Sequence, residues 1–377
     1  MNEIEKILIV TTEFPPGPGG IGNHAHSLTK SLAKRGYNVF VVTNADYAGE
    51  EEINLFDSSQ DENIFIKRVL RSGIKMYFQR FMSVVEIIKS ENVKTVLLSG
   101  KFSLWVGGLL KLLGYKVKTI AVLHGFEVKL GNKFFKRVTD YSISKADFLM
   151  PVSQFTYSLL TKELQQKPYR IVENGIDLQE MKGLDVNEKN TIELKGSPAL
   201  LTVGNVTPRK GQHRVIKAMP EIVKRFPDVH YHIVGLPTHK DEFYMLAKSL
   251  GVQKNITFHG RLPERSDLAT VYKKADCFVI LSENQPSGDV EGFGIVILEA
   301  NYFGLPAVVA KGCGIEDAIS NGYNGYLVDG DDAVAISHKI EMIIDNRHKL
   351  SENSVKWAES HSWDTIVDKY IEEISSY

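Results

Sequence analysis

Two glutamates, Glu291 and Glu299, stand at the ends of EGFGIVILEA, a stretch that is otherwise apolar or glycine. Carboxylates accept hydrogen bonds from sugar hydroxyls, and the free amides at a helix N-terminus bind phosphate. Burying Glu299 in an apolar helix face would be costly without a partner, whereas Glu291 could also be a surface acid that favours the helix dipole. The pattern predicts a site for a ligand that carries both hydroxyls and phosphate.

The hydrophobic pattern predicts the elements around this stretch. CFVILS predicts a strand, ENQPSGDVEGFG a loop, and IVILEANYFG a helix that begins near Ile295. Glu291 then lies at the carboxyl end of the strand, and Glu299 lies about one turn inside the helix. The amides of Phe293, Gly294 and Ile295 are expected between the two carboxylates, where the helix begins.

A basic pair, Arg209 and Lys210, follows another predicted strand in VGNVTPRKGQH and precedes a helix that begins near Gly211. Cations beside a helix N-terminus form an anion site because side-chain charge and amide dipoles add. The alternative is an exposed basic pair in a loop.

Further candidates follow strands of the first half. EFPPGPGGIGNH has glycines at the spacing of a dinucleotide fingerprint, but Glu13 and the prolines alter the turn. The amides of Gly19 and Gly20 still suit a pyrophosphate, with a plain connecting loop as the alternative. His124 in LHGFE and Asn174 in VENGID are expected at strand ends that face a ligand. A structural histidine and an ordinary Asn-Gly turn are the alternatives.

Two other patterns resemble metal sites. VDGDD places Asp329 and Asp331 in an Asp-x-Asp arrangement, but turn formation and N-capping between a strand and a helix explain it. His230 and His232 alternate on one strand face without a third ligand. No metal site and no cofactor is predicted.

Short β-rich runs alternate with helical patterns along the chain, which predicts an α/β fold with parallel sheets covered by helices. Because the polar segment 179–197 separates two series of strands, we expect two doubly wound, Rossmann-like domains, 1–178 and 198–361, facing a central cleft. The predicted strands are KILIVTT, NVFVVT, KTVLLS, VKTIAVL, DFLMPV and YRIV, then PALLTVG, VHYHIVG, NITFHG, CFVILS, PAVVA and GYLV.

Composition narrows the class of protein. The 377 residues carry 45 basic and 46 acidic side chains, so no broad positive field for nucleic acid exists. Cys277 and Cys313 occur singly, as in a reducing compartment. MNEIEKILIV lacks the basic start and cleavage site of a signal peptide, and no apolar stretch is long enough to span a bilayer. A cytoplasmic protein is expected, with peripheral contact at the inner face of the membrane as a further hypothesis.

The segments PPGPGGIGNHAHSLTKSLAKRGYNVFVVT, LHGFE, ENGID, PRKG, EGFGIVILEA and WDTIVDKY together resemble the retaining glycosyltransferases of family 4, which have the two-domain GT-B fold. The resemblance covers essentially the whole chain, and the spacing of Glu291 and Glu299 is its most specific element. It implies that a nucleotide diphosphate sugar binds mainly to the second domain and that the acceptor enters over the first. It also implies that the C-terminal helix, 362–376, crosses back to the first domain.

The resemblance assigns roles to individual residues. Gly19 and Gly20 would lie against the donor diphosphate, Lys210 would neutralise it, His124 and Glu291 would contact the sugar, and Glu299 would hold the ribose. The family usually has an arginine directly after LLTVG, where this chain has Asn205, so Arg209 would have to supply that charge. Asn174 and Asp289, the latter in the polar insert ENQPSGDV, are assigned to an acceptor or sugar pocket.

The predicted function is transfer of a hexose with retention of configuration, in the synthesis of a bacterial-type cell-surface polysaccharide or glycolipid, without a metal ion. A sugar-nucleotide epimerase on the same fold and a non-catalytic nucleotide-sugar-binding protein are the alternatives. Segment 65–82 predicts either contact with an anionic membrane or an amphipathic helix packed on the first sheet. Its cations are Lys67, Arg68, Arg71, Lys75 and Arg80.

Overall fold

The computed structural model describes residues 5–17, 19–45, 48–70, 73–184 and 192–376. The chain divides into two compact units: unit 1 is Met1–Asn174 with Trp363–Tyr377, and unit 2 is Gly175–Ser362. Part of the predicted linker, 185–191, and the start of the N-terminal segment, 1–4, lie outside the described residues. The finer domain limits given above stay a prediction.

Unit 1 contains one parallel sheet flanked by helices. The strands are β1 (Lys6–Thr11), β2 (Asn38–Asn44), β3 (Ile64–Val69), β4 (Thr95–Ser99), β5 (Lys118–Leu123) and β6 (Phe148–Pro151). The helices are α1 (Gly20–Lys34), α2 (Glu50–Ser58), α3 (Ile74–Ser90), α4 (Lys101–Leu112), α5 (Lys133–Lys145) and α6 (Gln154–Ser158). The strand order is β3-β2-β1-β4-β5-β6, and every residue of β5 is buried, as expected for a strand covered on both faces.

Unit 2 repeats this architecture. Its strands are β7 (Ala199–Val203), β8 (His230–Val234), β9 (Ile256–Gly260), β10 (Cys277–Ile280), β11 (Ala307–Ala310) and β12 (Gly325–Val328). Its helices are α7 (Leu178–Lys182), α8 (Gln212–Arg225), α9 (Lys240–Ser249), α10 (Arg265–Lys274), α11 (Ile295–Tyr302), α12 (Ala333–Asp345) and α13 (Arg347–Ser360). The strand order is β12-β11-β10-β7-β8-β9, and all pairings in both sheets are parallel. The predicted α/β fold with two Rossmann-like domains is confirmed.

The last helix, α14 (Trp363–Ile374), belongs to unit 1 and packs against α1. Arg35 at the end of α1 pairs with Asp368 on α14 at 2.5 Å, and Lys369 pairs with Glu173 at 2.7 Å. Trp363 and Tyr370 are buried, and both rings lie within contact distance of His24 on α1. The helix thereby completes the apolar cover over one face of the first sheet.

Each sheet has a topological switch point. On one side of this point the chain adds strands in one direction, and on the other side it adds them in the opposite direction. In unit 1 this point lies between β1 and β4, and in unit 2 between β7 and β10. Loops at the carboxyl ends of such neighbouring strands diverge to opposite faces and leave room for a ligand. The candidate residues of unit 2 come from the loops after β7 and β10.

Segment 65–82 does not form one helix, so the prediction of a single amphipathic helix packed on the first sheet is wrong. IFIKRV alternates buried and exposed residues at strand period and forms β3 at the edge of the sheet. Gly73 then precedes α3, which begins at Ile74. The charged residues of β3 hid the strand because they resemble the polar face of a helix.

The cations of this segment have different environments. Lys67 pairs with Glu86 at 2.9 Å, and Arg68 pairs with Asp57 at 2.7 Å. Arg80 is buried, and Lys75 is exposed. Arg71 lies outside the described residues.

The predicted strand YRIV is not a strand of the sheet. Residues 169–172 run beside β6 with three backbone hydrogen bonds, but they form only the isolated bridge between Leu149 and Tyr169. Pro168 precedes the run and has no amide to extend the ladder. The other eleven predicted strands correspond to strands of the two sheets.

Candidate active site

The two loops at the switch point of unit 2 bring Arg209 and Lys210 to Glu291. Lys210 Nζ lies 3.0 Å from Glu291 Oε2, and the Arg209 guanidinium pairs with the same oxygen. Arg209 Nε also lies 3.1 Å from Asp289 Oδ2. A backbone hydrogen bond of 3.0 Å from the Glu283 amide to the Arg209 carbonyl joins the two loops. Four predicted site residues therefore form one charged cluster, which we call the cation–glutamate cluster: Arg209, Lys210, Asp289 and Glu291.

The cluster is largely shielded from solvent, and this sets the charge of its glutamate. The side chains of Lys210 and Glu291 are each 12% exposed. Burial alone would raise the pKa of Glu291, but the charges of Lys210 and Arg209 outweigh it and hold the pKa below its ordinary value. Glu291 is therefore a carboxylate at neutral pH. It holds two cations in fixed positions at the carboxyl end of the sheet.

Backbone geometry at Gly211 fixes where the two cations stand. Residues Pro208–Lys210 form one turn of 3₁₀ helix, and Gly211 then takes a left-handed conformation with φ 73° before α8 begins. A Cβ at this position would lie 1.9 Å from the Leu281 carbonyl oxygen. Only glycine combines this φ with such a close approach to the end of β10. The PRKG sequence thus packs the basic pair directly against the neighbouring loop.

The start of α11 supplies amides beside the same loop. Gly294 caps the helix with φ 82°, and a Cβ there would meet Ile315 at 2.8 Å. The first amides of an α-helix have no acceptor within the helix, so those of Ile295 and Val296 can bind an anion. The Ile297 amide instead donates to the Gly294 carbonyl at 2.9 Å. Phe293 is buried, and its ring lies 6.5 Å from that of His361 in a tilted arrangement, which anchors the loop before the helix. The predicted phosphate-binding amides lie in the same loop-helix connection as Glu291.

Glu299 lies on α11 and has a partner that the sequence did not reveal. The hydroxyl of Tyr272, a buried residue of α10, donates to Glu299 Oε2 at 3.0 Å. Burial raises the pKa of Glu299, while the nearby Arg265 and the Tyr272 hydrogen bond oppose that shift. The glutamate is only partly exposed, so one carboxylate edge is held while the group remains at the surface of the unit.

Asn205 occupies the position where the resemblance would place an arginine. The residue is exposed, and its carbonyl accepts a hydrogen bond of 3.0 Å from the Gln212 side chain. Arg209, four residues on, instead contacts Glu291 and Asp289. Whether Arg209 replaces the missing charge stays a prediction.

In unit 1, Gly19 and Gly20 lie where the loop after β1 enters α1. A carboxylate lies next to them, because a Cβ on Gly19 would be 2.0 Å from Glu13 Oε2. Burial raises the pKa of Glu13, and a hydrogen bond from the Gly22 amide opposes that shift. An acidic group at these amides was not expected from the glycine pattern, and it makes this loop less suited to a phosphate than Gly19 and Gly20 alone suggested.

His124 follows β5 and is held by side chains from three parts of unit 1. Its Nε2 lies 2.9 Å from Ser99 Oγ at the end of β4, and its ring meets His24 edge to face at 4.9 Å. The backbone amide of His124 donates to Glu127 Oε1 at 2.5 Å. Burial lowers the pKa of His124 to about 4, so the imidazole is neutral at pH 7. A neutral, positioned imidazole can accept or donate a hydrogen bond to a hydroxyl.

Two buried polar groups near these loops lack a hydrogen-bond partner for one oxygen among the described residues. They are Glu127 Oε2 and Asn174 Oδ1. Burial raises the pKa of Glu127 to about 7. Asn174, predicted for an acceptor or sugar pocket, lies in the loop at the end of unit 1. An orphaned buried oxygen is costly, so a group outside the described residues is expected to satisfy it.

The two patterns set aside as metal sites have structural partners. Asp331 forms a two-point ion pair with the buried Arg214 at 2.9 and 3.0 Å, and Asp329 accepts from the Asp331 amide at 3.0 Å. The turn-and-cap interpretation is confirmed, with Asp332 capping α12. His259 is the third histidine beside His230 and His232, and its Nε2 lies 3.0 Å from His232 Nδ1. The parts of the chain that the structure describes contain no group of three His, Cys, Asp or Glu residues able to hold a metal ion.

Sequence reasoning missed Ser99, Glu127, Tyr272 and Glu13 as partners of site residues. Glu127 had a local signal, because it lies in the LHGFE motif with His124. Glu13 lies in the glycine motif itself, where its effect on the charge of the loop was not foreseen, whereas Ser99 and Tyr272 reach their partners through tertiary packing and lie in no motif. Over the described residues, no helix is long and apolar enough to cross a membrane.

Comparisons with known proteins agree with this two-part organisation. The family model "Glycosyltransferase Family 4" matches residues 18–180, and the model "Glycosyl transferases group 1" matches residues 185–360. The chain is therefore a glycosyltransferase with the GT-B fold. It belongs among the glycosyltransferases of family 4 and group 1, whose two models match its two halves in order.

Two named relatives align with this chain over nearly its full length. A GDP-mannose-dependent monoacylated alpha-(1-6)-phosphatidylinositol monomannoside mannosyltransferase of Corynebacterium glutamicum is 27% identical, with 92% of this chain and 90% of the relative covered. A GDP-mannose-dependent alpha-(1-6)-phosphatidylinositol monomannoside mannosyltransferase of Mycolicibacterium smegmatis is 26% identical, with 90% of each covered. Anabaena HepE in complex with UDP superimposes with a TM-score of 0.75 at 20% identity, covering 99% of this chain and 100% of HepE, which shows the shared fold.

Proposed function

We propose that this glycosyltransferase moves a hexose from a nucleotide diphosphate sugar to a lipid-linked acceptor with retention of anomeric configuration. The carrying observation is the cation–glutamate cluster, in which Lys210 and Arg209 meet Glu291 beside the first turn of α11. Cations and helix amides at one point suit a diphosphate, and carboxylates on either side suit hydroxyls. A nucleotide diphosphate sugar accounts for the cations, the helix amides and the carboxylates together.

Each residue then has a defined task. Lys210, Arg209 and the amides at the start of α11 neutralise the charge that builds on the leaving diphosphate. Glu291 orients the sugar, and Glu299, steadied by Tyr272, accepts hydrogen bonds from the ribose hydroxyls. His124 supplies a neutral imidazole to a hydroxyl of the transferred sugar, as the resemblance implies.

Retention without a covalent intermediate is supported by the state of Glu291. Its carboxylate is paired with two cations, which lowers its power as a nucleophile. We therefore propose that the acceptor oxygen attacks from the side on which the diphosphate leaves. The departing phosphate oxygen takes the acceptor proton, so the new glycosidic bond forms on the face from which the old one broke.

The names of the relatives suggest the first donor and acceptor to test. Two of them use GDP-mannose and act on phosphatidylinositol monomannosides, so we propose GDP-mannose as donor and a phosphatidylinositol-type glycolipid as acceptor. A thermal-shift panel of GDP, UDP and ADP sugars identifies the donor, because ligands that bind only the folded state raise its melting temperature.

Transfer is tested by incubating the donor with and without acceptor lipid. The product is detected by mass spectrometry, and its anomeric configuration is determined by NMR. A glycolipid with the donor's configuration supports the proposal, whereas an inverted linkage contradicts retention. A donor that is altered in the absence of acceptor would indicate the epimerase alternative. Binding of the donor without any turnover would indicate a non-catalytic protein.

A further inference from the structure

A row of aromatic side chains crosses the first turns of α3, α4 and α5 in unit 1. This aromatic row consists of Tyr77, Phe102, Trp105, Phe135 and Phe134. Successive ring centroids are 4.9, 5.1, 5.5 and 5.7 Å apart in that order. Phe134 is 70% exposed, and Phe78, next to Tyr77 on α3, is 67% exposed. Large aromatic groups gathered at the surface mark a contact site for another molecule or a membrane.

Positive charge predominates around the row. The ammonium of Lys101 lies over the rings of Phe102, Trp105 and Phe135, between 4.6 and 5.7 Å from their centroids. Residues 73–82, 100–112 and 128–139 contain no aspartate or glutamate. The cations at or near the surface in these ranges are Lys75, Lys101, Lys111, Lys129, Lys133, Lys136 and Arg137. Of these, Lys136 is paired with Asp140 at 2.7 Å, and Lys111, at the far end of α4, is paired with Asp147 at 2.6 Å.

The row lies at the edge of the sheet that carries His124. Helices that follow parallel strands begin at the carboxyl edge, so the first turns of α4 and α5 lie on that edge. Ser99, which holds His124 through a hydrogen bond of 2.9 Å, precedes Lys101 by two residues. A molecule bound along the row is thereby brought to the histidine assigned to the sugar.

We propose that the aromatic row and its cations are the surface by which this chain docks on an anionic phospholipid bilayer. Aromatic rings favour the headgroup level of a membrane, and lysine or arginine side chains beside them pair with anionic lipids. The mixture of exposed rings with unbalanced positive charge fits such a surface better than it fits a neutral or acidic partner. The proposal rests on the proposed lipid-linked acceptor for its purpose. It keeps the part of segment 65–82 that begins α3 and adds the starts of α4 and α5.

The test is sedimentation of the full-length protein with vesicles at low salt. Vesicles of phosphatidylcholine mixed with phosphatidylglycerol should bind it, vesicles of phosphatidylcholine alone should bind it weakly, and added salt should release it. The combined change Phe78→Ser with Phe134→Ser should weaken binding roughly tenfold or more, because two inserted rings are lost. Lys133→Glu reverses one charge and should also weaken binding roughly tenfold.

Matched controls lie elsewhere on unit 1. Leu112→Ser removes a side chain that is 65% exposed at the other end of α4. Lys94→Glu reverses an exposed charge just before β4, at the opposite edge of the sheet. Both controls should bind vesicles like the unaltered protein. All five substituted residues are exposed, so the variants should keep the parental melting temperature.

Three results would overturn the docking surface. They are absence of binding at low salt, equal binding to neutral and anionic vesicles, and equal loss in the row variants and the controls. Vesicle binding does not require catalysis, so the two proposals can fail separately. Binding without glycosyl transfer to any lipid would remove the proposed function and leave the surface. Transfer to detergent-dispersed lipid without vesicle binding would remove the docking surface and leave the proposed function.

Discussion

In unit 2 the loops at the carboxyl edge join Lys210 and Arg209 to Glu291, whereas in unit 1 the same edge carries a neutral His124 above a fully buried Glu127. The two sheets have the same strand order relative to their switch points. The fold therefore provides two equivalent positions for ligands, and side-chain charge differentiates them. In the proposed function, the charged edge binds the diphosphate and the other edge binds hydroxyl groups.

The comparison also shows how each unit controls the protonation of a buried glutamate. Glu291 is kept charged by two cations that oppose the effect of burial on its pKa. Glu127 has only hydrogen bonds from backbone amides to oppose burial, and its pKa rises to about 7. A salt bridge is thus needed where charge must be retained, and its absence leaves a carboxyl group that titrates near neutrality.

Removing the charge from the unit 2 edge should have the largest effect. Lys210→Ala should lower kcat with the nucleotide sugar by about 10²–10³-fold, because a cation on the leaving diphosphate acts in the transition state. Lys217→Ala changes an exposed residue of the following helix, α8, and is the control, which should be near the parental rate. Steady-state kinetics at saturating acceptor measure both. Parental turnover by the Lys210 variant would show that the cluster is structural.

The buried carboxyl of unit 1 should produce a pH-dependent difference in stability. Because folding raises the pKa of Glu127 from 4.5 to about 7, the folded state holds a proton that the unfolded state has lost. Its contribution is fully present below about pH 4.5 and is lost as the pH rises to 7. The variant Glu127→Gln has no titrating carboxyl at this position, so its stability does not fall with pH in this way. The free energy of unfolding of the variant, minus that of the parent, should therefore increase by about 3 kcal/mol between acidic and alkaline pH.

Urea unfolding at several pH values measures this difference. Glu163→Gln, an exposed site in unit 1, should show a difference that is nearly constant with pH. A flat difference for Glu127→Gln would mean that its carboxyl titrates like one in water. His24 and His124 have lowered pKa values, so they make stability rise with pH, but they do so in both proteins and cancel.

Glu291→Gln should separate orientation from binding in the charged edge. We expect turnover to fall by about 10–100-fold, with a smaller change in donor KM, because the carboxylate positions the reacting sugar. The variant should also lose about 1–2 kcal/mol of stability, since two partly buried cations lose their counter-charge. This loss should begin to shrink as the pH falls below about 4.5, the ordinary pKa of the group, and should disappear only below the lowered pKa of the folded-state carboxylate.

Asp289→Asn is the matched control for that variant. Asp289 is 58% exposed and pairs only with Arg209 in the cluster, so its change should lower turnover and stability less than Glu291→Gln does. Equal effects of the two substitutions would place the function of the loop in its overall negative charge, not in Glu291.

Glu299→Gln should mainly raise the donor KM. The carboxylate is assigned to ribose hydroxyls that are bound equally before and during reaction, so kcat should be nearly unchanged. The cost should be about 1–3 kcal/mol of donor binding, as for a charged hydrogen bond. Tyr272→Phe, which removes the hydroxyl that steadies Glu299, should give a smaller change in the same direction. A fall in kcat with unchanged KM would contradict the assignment.

Most of the architecture could be predicted from sequence because strand period and strand burial are local. The missed strand β3 lies at a sheet edge, where the charged residues Lys67 and Arg68 weaken the apolar signal. The site residues Arg209, Lys210 and Glu291 were each found within their own motif. The contacts among them could not be derived, because the motifs are about 80 residues apart in a chain that only the sheet brings together.

The partners of the site residues were harder still. Tyr272 holds Glu299 from a different helix, and Ser99 holds His124 from the end of another strand. Neither lies in a motif, and a serine or tyrosine at such positions is common in any α/β fold. At Gly19 a motif was found but its electrostatic environment was not. The glycine pattern suggested an anion site, and the Glu13 carboxylate of the same loop makes that site more negative.

The smallest expected effect is that of removing metal ions. This test asks whether the charged edge of unit 2 needs a divalent ion in addition to its side chains. We predict that Lys210, Arg209 and the α11 amides neutralise the diphosphate without a divalent ion, so a chelator should leave transfer unchanged. The assay uses the purified enzyme with donor and acceptor, with EDTA, and with EDTA followed by magnesium or manganese. The Lys210→Ala variant sharpens the result, because a divalent ion that could substitute for the lost charge would restore part of its activity. If EDTA abolishes transfer by the unaltered enzyme and a metal restores it, the two cations are insufficient for the leaving group. The charge difference between the edges would then depend on a bound ion as well as on side chains.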